Sequence, residues 1–298
     1  CDNRTGLNGG GVDASGATLR NCTIIGNRAE KIGGGFFATQ FQGLYGAHLD
    51  NCIVYDNTAQ DAPNNYHVAV FRSCATWPLP AGEGNLSNAP ALIALNSFHL
   101  GAASPCIDAG ATNYAPAGSD IAGNPRTIGA RTDMGCYEHG GEALTGALTA
   151  AVLAEYATVA PGFPLLCEGY AEGLLAGARW EFGDGTIISN APQQWHRFAA
   201  PGTYPVVFRV WNATHAAAAT ALVQVVAATN YVSLGGTAVA PYTSWASAAT
   251  CIQDAVDAAH PGGVVLVARG VYAAGGAVAT TLAETATNRV CIEKPISV

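Results

Sequence analysis

The stretch Cys22-Thr23-Ile24-Ile25-Gly26-Asn27 returns without gaps as Cys52-Ile53-Val54-Tyr55-Asp56-Asn57, and this repeat decides the fold. A Gly-Gly-Gly triplet also occurs twice, at 9–11 and at 33–35, each time following an asparagine by the same distance. The repeat is first 24 and then 30 residues long, which fits one insertion at 40–45. A period in the twenties with short β-branched strands and glycine or asparagine corners is typical of a β-solenoid, whose stacked turns share a core.

Two columns of equivalent residues follow from this alignment. We expect the asparagines to hydrogen-bond along the stacking axis and to tolerate left-handed corners. We expect the cysteines to form a ladder of small buried side chains in preference to a set of disulfide bridges. The columns are Asn3, Asn27 and Asn57, and Cys22 and Cys52, which Cys74 would extend.

The composition limits the class of protein. Of the 298 residues, 49% are apolar and 11% are charged, and 36 are glycine, which is typical of a β-rich, turn-rich chain with room for two or three domains. No apolar run approaches the roughly 18 residues of a membrane span. The net charge of −8 without a basic patch disfavours nucleic acid as a partner. The chain begins in mid-pattern, so we expect a processed product or part of a longer protein.

Nine cysteines are many for a cytosolic chain, and none forms a Cys-x-x-Cys or Cys-x-x-His pair. A zinc site is therefore not expected. Disulfides in an oxidising compartment are the favoured interpretation. Because the number is odd, at least one thiol must be free or paired outside the chain.

Residues 76–139 lose the repeat and carry Pro, Asn, Asp and Gly at close intervals, as expected of an irregular cap over the last turn. Three strings, Ser-Pro-Cys-Ile-Asp-Ala-Gly, Asp-Ile-Ala-Gly-Asn-Pro-Arg and Asp-Met-Gly-Cys-Tyr-Glu, begin at 104, 120 and 133. Together they resemble the choice-of-anchor Q module of bacterial surface proteins. In that family the module closes a right-handed parallel β-helix of the pectin-lyase-like type. The resemblance implies a disulfide between Cys106 and Cys136.

Four charged residues of the cap invite a catalytic interpretation. We expect them instead to form the ion pairs and Asx turns that satisfy the backbone of a small, loop-rich unit. Bound calcium is the alternative that the sequence leaves open, and no other cofactor or metal is expected. These residues are Asp108, Asp120, Arg126 and Asp133.

After a Gly/Ala/Thr linker, residues 148–228 show short alternating strands separated by turn residues, the pattern of a β-sandwich. The string Trp-Glu-Phe-Gly-Asp-Gly-Thr at 180–186 resembles the PKD domain, an immunoglobulin-like module of extracellular proteins. Its aromatic residues point to one face, and the Gly-Asp-Gly turn requires positive φ. We expect Asp184 to form the turn and not to bind a ligand, and His196 to be a packed residue and not a base.

Residues 229–298 change character again. A helix is predicted over 250–259, with Thr250 and Gln253 as a capping box and apolar residues at i, i+3, i+4 and i+7. Pro-Gly-Gly ends the helix, and a buried strand is predicted at 264–267. This order resembles the opening of a pectin-lyase-like β-helix, in which a short helix covers the first turn. The cysteines that could form a second disulfide here are Cys251 and Cys291.

The end of one β-helix thus precedes the sandwich, and the start of another follows it. We expect an all-β fold, in which right-handed parallel β-helix parts flank an immunoglobulin-like sandwich and one short α-helix acts as a cap. When the last residues are written before the first, Ile296 falls on the position of Cys22 and Val298 on that of Ile24, so the join reads as one more turn. The expected domains are 1–75, 76–139, 148–228 and 229–298, and the expected assembly junction is Cys1, Asn3, Ile296 and Val298.

Three functions compete. The favoured one is an extracellular or cell-surface structural protein of bacterial type, a repeat unit of a tandem array or head-to-tail fibre that associates end to end with itself. The second is an adhesin or carbohydrate-binding protein. The third, a polysaccharide lyase or hydrolase, is disfavoured because the turns carry few acids and none of the strings typical of polygalacturonases. Aromatics that would stack on glycans under the second hypothesis are Tyr45, Tyr55, Tyr66 and Trp77.

Overall fold

The computed structural model of the chain describes residues 3–39, 46–61, 64–141, 144–280 and 285–298. Nearly all regular structure in these residues is β-strand, accompanied by one α-helix and one short 3₁₀ helix, Thr112–Tyr114. None of the described helices is long and apolar enough to span a lipid bilayer. Four regions follow one another: a stack of short parallel strands, an irregular cap, a β-sandwich and a C-terminal region.

The stack consists of three turns, each contributing one strand to each of four three-stranded parallel sheets. The first turn holds β1 (Arg4–Thr5), β2 (Val12–Asp13), β3 (Thr18–Arg20) and β4 (Thr23–Ile25). The second holds β5 (Arg28–Ala29), β6 (Phe36–Phe37), β7 (His48–Asp50) and β8 (Ile53–Tyr55). The third holds β9 (Thr58–Ala59), β10 (Tyr66–His67), β11 (Val70–Arg72) and β12 (Ala75–Thr76).

The strand register of the stack follows the repeat in the sequence. Arg4 pairs with Arg28, whereas Thr18 pairs with His48, so the offset between the first two turns grows from 24 to 30 residues. The extra residues therefore fall between Phe37 and His48. The predicted insertion at 40–45 lies outside the described residues.

The stack and the cap share an apolar interior. Phe36, Leu49 and Phe71 are fully buried inside the turns, where each contributes roughly 1.5–3 kcal/mol relative to an exposed side chain. At the end of the third turn, Leu86 of the cap continues the sheet by accepting a hydrogen bond from Thr76 N–H and donating one to the Cys74 carbonyl oxygen. The cap therefore closes this end of the stack.

The sandwich is built from a three-stranded and a five-stranded sheet, in the orders β13-β15-β18 and β14-β20-β19-β16-β17. Among its largest buried side chains are Trp180 in β16, Phe182 directly after β16, and Phe208 in β19, all of which point into the interior. The strands are β13 (Thr149–Ala154), β14 (Thr158–Val159), β15 (Leu165–Glu172), β16 (Gly177–Glu181), β17 (Ile187–Ser189), β18 (Gln193–His196), β19 (Gly202–Trp211) and β20 (Ala216–Val225).

The sandwich is attached to the regions on both sides of it. Ile93 of the cap is buried in the sandwich core, and Leu95 N–H donates to the Gly169 carbonyl oxygen at 3.0 Å. On the other side, Ala160 N–H donates to the Pro261 carbonyl oxygen at 2.9 Å. These contacts position the cap and the C-terminal region relative to each other.

The C-terminal region combines a parallel strand pair, a helix and a hairpin. The helix packs on the strand pair and buries Ala255, Val256 and Ala259, as its apolar periodicity predicts. Its elements are β21 (Thr229–Val232), α1 (Ile252–Ala258), β22 (Val264–Val267), β23 (Ala277–Thr280) and β24 (Thr285–Asn288).

Two details of this region differ from expectation. The predicted capping box is absent, since Cys251 is the N-cap of α1 and no side chain caps the helix. Gln253 instead holds the backbone of Cys291, with Oε1 accepting its N–H at 2.8 Å and Nε2 donating to its carbonyl oxygen at 3.2 Å. The strand predicted to be buried leaves Leu266 42% exposed, because nothing among the described residues covers its outer face.

Candidate assembly surfaces and polar columns

The asparagine column forms a continuous hydrogen-bonded ladder. Both the backbone N–H and the Nδ2 of Asn3 donate to Asn27 Oδ1, at 3.1 and 3.0 Å. Asn27 donates in the same way to Asn57 Oδ1, and Asn57 to Asn65 Oδ1. Asn27 and Asn57 are buried, so the ladder satisfies polar groups that water cannot reach. At the first turn, Asn3 Oδ1 accepts no hydrogen bond from the described residues.

The left-handed corners lie elsewhere than expected. Positive φ values occur at Asn21 and Asn51, which precede the cysteines, and at Asp56, which precedes Asn57. The side chains of Asn21 and Asn51 bind the cap: Asn21 Nδ2 donates to the Asp133 carbonyl oxygen, and Asn51 Oδ1 accepts the N–H of Ala111 at 2.7 Å. These corners therefore dock the cap along the side of the stack.

The cysteine column holds free thiols. The N–H of Cys22 donates to Cys52 Sγ at 3.4 Å, and that of Cys52 to Cys74 Sγ at 3.2 Å. The hydrogen bond with Cys52 lowers the pKa of the half-buried Cys22 thiol to about 7, against an opposing effect of burial. Burial raises the pKa of the enclosed Cys52 thiol well above its usual value.

The two predicted disulfides are not formed in the structure. Cys106 and Cys136 are both free thiols; Met134 N–H donates to the Cys106 carbonyl oxygen, and Cys136 N–H donates to Thr23 Oγ1.

The other candidate pair also consists of free thiols. Cys251 Sγ donates to the Ala274 carbonyl oxygen, whereas Cys291 Sγ donates to that of Ala277.

The charged residues of the cap form a buried network. Arg126 donates to Glu138 Oε1 through Nε and Nη2, and Glu138 N–H donates to Asp120 Oδ2. Asp133 accepts the N–H groups of Asp108 and His139. Backbone and guanidinium groups thus donate hydrogen bonds to these carboxylates. No group of three or more His, Cys, Asp or Glu side chains among the described residues is placed to hold a metal ion.

One polar column of the stack escaped the sequence reasoning. Asp50 is fully buried between Arg20 and Arg72, with Arg72 Nε at 2.6 Å and Arg20 Nε at 3.5 Å. The Arg72 guanidinium also lies over the Tyr114 ring, 4.1 Å from its centroid. The three charged residues occupy one register position, so the aspartate of the middle turn pairs with an arginine of each neighbouring turn.

The two ends of the stack differ. The first-turn strands β1 to β4 take the outer position in their sheets, and no described strand pairs with their free edges. Leu7 is 60% exposed at this end. The opposite end lies under the cap. Of the predicted junction residues, Asn3 is at this open edge, whereas Cys1 lies outside the described residues.

The C-terminal region has the reverse arrangement. The backbone of β21 is covered by Tyr242 and Ala249, which bond to Tyr231. The last residues run parallel to β22, with Val265 N–H donating to the Ser297 carbonyl oxygen at 2.7 Å. Among the described strands none pairs with the outer edge of this segment.

The two junction side chains of this segment differ in exposure. Ile296 packs against the core of the C-terminal region, whereas Val298, two residues later, is 57% exposed. The structure therefore brings Ile296 and Val298 to one open edge and places Asn3 at another.

The sandwich motif binds its own turn. Asp184 Oδ1 accepts Thr186 N–H, and Asp184 Oδ2 lies 2.7 Å from His196 Nε2. Partial burial acts to raise the pKa of Asp184, but the Thr186 N–H and His196 outweigh it and hold this pKa below its usual value. The His196 ring stacks on Phe182 at 4.1 Å, so it is packed as predicted, with an acid partner that the sequence did not indicate.

Residues 165–227 match the PKD domain family. The predicted PKD resemblance of the sandwich is thereby confirmed for this segment, and PKD domains are typical of extracellular or surface proteins. No curated protein sequence matches the chain significantly.

Several solved structures are similar to parts of the chain. One, described for the promiscuous specificity of β-sandwich carbohydrate-binding modules, has a TM-score of 0.27 and 23% identity, covering 28% of this chain and 36% of that chain. The PKD domain of the human VPS10 domain-containing receptor SorCS2 has a TM-score of 0.24 and 24% identity, covering 34% and 96%. A Methanosarcina mazei protein has a TM-score of 0.23 and 20% identity, covering 37% and 77%.

Proposed function

We propose that this chain is an extracellular structural unit, a repeat of a tandem array or head-to-tail fibre. In it, the open C-terminal edge of one copy completes the open first turn of the next. We infer with it that the three turns are part of a right-handed parallel β-helix, and that residues 76–139 are a choice-of-anchor Q-like cap. The proposal rests on one observation: the open edge of the stack is formed by its earliest turn, whereas the open edge of the C-terminal region is formed by its latest segment.

The polarity argument rests on which strands are covered. In the stack the earliest turn is outermost and the latest lies under the cap. In the C-terminal region the earliest strand is covered and the latest segment, 295–298, is outermost. The open edge of the C-terminal region is thus formed by its latest segment and that of the stack by its earliest turn, so in the proposed assembly one continues into the other. Unpaired N–H and C=O groups of strand edges readily accept a further strand.

The sandwich supports a role in spacing. Its core includes Ile93 of the cap, and its loop Ala160–Phe163 contacts the C-terminal region at Pro261 and Gly262. A spacer fixed on both sides would hold the two open edges at a constant separation, which a regular repeat requires.

Val298→Asp tests the junction. The wild-type chain is expected to form end-to-end oligomers in analytical ultracentrifugation and fibres with one axial repeat in electron micrographs. The aspartate would place an unpaired charge in the completed turn, so association should be lost while the fold is kept. Ile296→Asp is expected to act in the same direction.

Ile187→Asp is the matched control, because Ile187 is an equally exposed apolar residue, 60% accessible, on the sandwich. It should leave association unchanged. Circular dichroism checks that each variant is folded. A wild-type chain that stays monomeric at every concentration, or a folded Val298→Asp variant that assembles normally, would contradict the proposal.

A further inference from the structure

A cleft with a volume of about 1200 Å³ lies between the stack, the cap and the sandwich. It is lined by residues from 55–58, 89–96, 168–170 and 190–194, together with Trp77. Hydrogen bonds join two of its walls, since Ala171 N–H donates to Asn96 Oδ1 at 2.6 Å beside the bond between Leu95 and Gly169. These bonds fix the two walls relative to each other. The volume of the cleft exceeds the roughly 300–1,000 Å³ of ordinary small-molecule pockets.

Three aromatic side chains line this cleft: Tyr55, Trp77 and Tyr170. The Tyr55 hydroxyl donates to the Ser87 carbonyl oxygen at 3.1 Å, and that of Tyr170 to Glu168 Oε2 at 3.3 Å, so both rings are held in place. Trp77 is 60% exposed. Aromatic faces carry negative charge density that attracts the C–H groups on the flat face of a sugar ring.

The structure separates the aromatics that the sequence grouped together. Tyr66 packs on Phe71 with ring centroids 4.6 Å apart, inside the stack. Tyr45 lies outside the described residues. Tyr55 and Trp77 share the cleft, where Tyr170 of the sandwich joins them.

The charged side chains that line the cleft are all acidic. It contains the carboxylates of Asp56 and Glu168, while no lysine, arginine or histidine occurs among the described lining residues. Asp56 forms no ion pair within the described structure, and burial raises its pKa. The side-chain amide of Gln193, which lies opposite Glu168 in the sheet, bonds to no other described group and is available to hydroxyl groups. An acidic ligand would meet two carboxylates without a counter-ion.

We propose that this cleft binds a glycan chain that carries no acidic groups, with its sugar rings stacked on Tyr55, Trp77 and Tyr170. The amides donate and accept hydrogen bonds, and the carboxylates accept them, at the hydroxyl edges of the sugars. The site draws on three regions of the fold at once, so it exists only when the sandwich is docked on the cap. None of the described junction residues lines the cleft, so glycan binding is expected without the proposed assembly.

Calorimetric titration of the full 298-residue chain tests this. The probes are short cello-, manno-, xylo- and chito-oligosaccharides, and oligogalacturonate serves as the acidic arm. At least one uncharged oligosaccharide should bind, and oligogalacturonate should bind at least about tenfold more weakly. Trp77→Ala and Tyr170→Ala should each weaken binding about tenfold.

Trp195→Ala is the matched control, because Trp195 is 61% exposed on the sandwich and is not part of the cleft lining. It should bind like the wild type, as should the assembly variant Val298→Asp. Glu168→Gln should narrow the gap between neutral and acidic probes. Failure of every uncharged oligosaccharide to bind, stronger binding of oligogalacturonate, or unchanged binding by Trp77→Ala would each overturn the proposal.

Discussion

The stack and the sandwich are both built from strands, yet they are stabilised differently. Strands of the stack are two or three residues long, and its interior contains buried asparagine and cysteine columns that repeat from turn to turn. The sandwich has strands of up to 10 residues and one closed aromatic core around Trp180. Each stack turn is therefore supported by its neighbours, whereas the sandwich encloses a single interior to which the cap adds Ile93. Among the described residues the first turn has a neighbour on one side only, so we expect it to be the least supported part of the stack.

The largest expected effect is on the sandwich, through Trp180→Ala. Trp180 is fully buried, its ring lies 4.7 Å from that of Phe208, and Nε1 donates to the Ala191 carbonyl oxygen at 2.8 Å. Removing the side chain leaves a cavity and an unpaired carbonyl, at a cost of about 3–5 kcal/mol. Chemical denaturation should show the loss in a transition assigned to the sandwich.

Trp195→Ala again provides the control, with an expected change within about 0.5 kcal/mol. Because Ile93 of the cap lies in the same core, Trp180→Ala should also loosen the cap. If the denaturation midpoint of the stack fell as much as that of the sandwich, the two regions would unfold together and would not be stabilised independently.

The parts that the sequence predicted well are those with a period or a strict local pattern. The aligned runs ending in Asn27 and Asn57 led directly to the parallel register, because identical residues at one position in successive turns must stack. The Gly-Asp-Gly turn led to positive φ at Gly183 and Gly185. Both signals come from residues close together in the chain.

Most features that the sequence did not predict depend on contacts between residues that do not recur at a fixed spacing. Asn65 completes the asparagine ladder only eight residues after Asn57, where the repeat would place it a full turn later. The cleft exists only through the packing of three regions, so no single stretch predicts it. One missed feature does follow the repeat. Arg20, Asp50 and Arg72 each stand two residues before a cysteine of the column, so the alignment could have predicted their stacking.

Asn57→Ala measures how far the polar ladder stabilises the stack. Asn57 Oδ1 accepts two hydrogen bonds from Asn27, at 3.0 and 2.9 Å, and its Nδ2 donates to the Ile24 carbonyl oxygen. Alanine would leave these buried groups unpaired, at a cost of about 2–3 kcal/mol. Asn3→Ala, at the exposed end of the same ladder, should cost less than about 1 kcal/mol. Equal losses in thermal melts would mean that the ends are no weaker than the middle.

Two buried groups of the cap, His99 and Asp133, should respond to acid in opposite directions. The His99 ring stacks on Tyr137 at 3.9 Å, and its Nε2 is buried without a hydrogen-bond partner in the described structure. Burial lowers the pKa of His99 to about 4, with Asp120 acting in the opposite direction. The unfolded chain protonates this residue below about pH 6.5, so its stabilising contribution is complete above that pH. It is lost as the pH falls towards 4, by about 1.4 kcal/mol per pH unit.

Asp133 gives a pH dependence of stability opposite to that of His99. The variant His99→Phe separates the two, because it removes the contribution of His99. Burial raises the pKa of Asp133 to about 6, against the N–H groups of His139 and Asp108, so its contribution is complete below about pH 4 and is lost as the pH rises through 6. The two dependences largely offset each other in the wild type between pH 4 and 6. With phenylalanine at position 99 only the Asp133 dependence of this pair remains, so the cap and stack should become more stable as the pH falls from 6 to 4. Identical pH profiles for the stack transition in wild type and His99→Phe would show that His99 is hydrated in solution, and that the cap is less tightly closed over the stack than its contacts indicate.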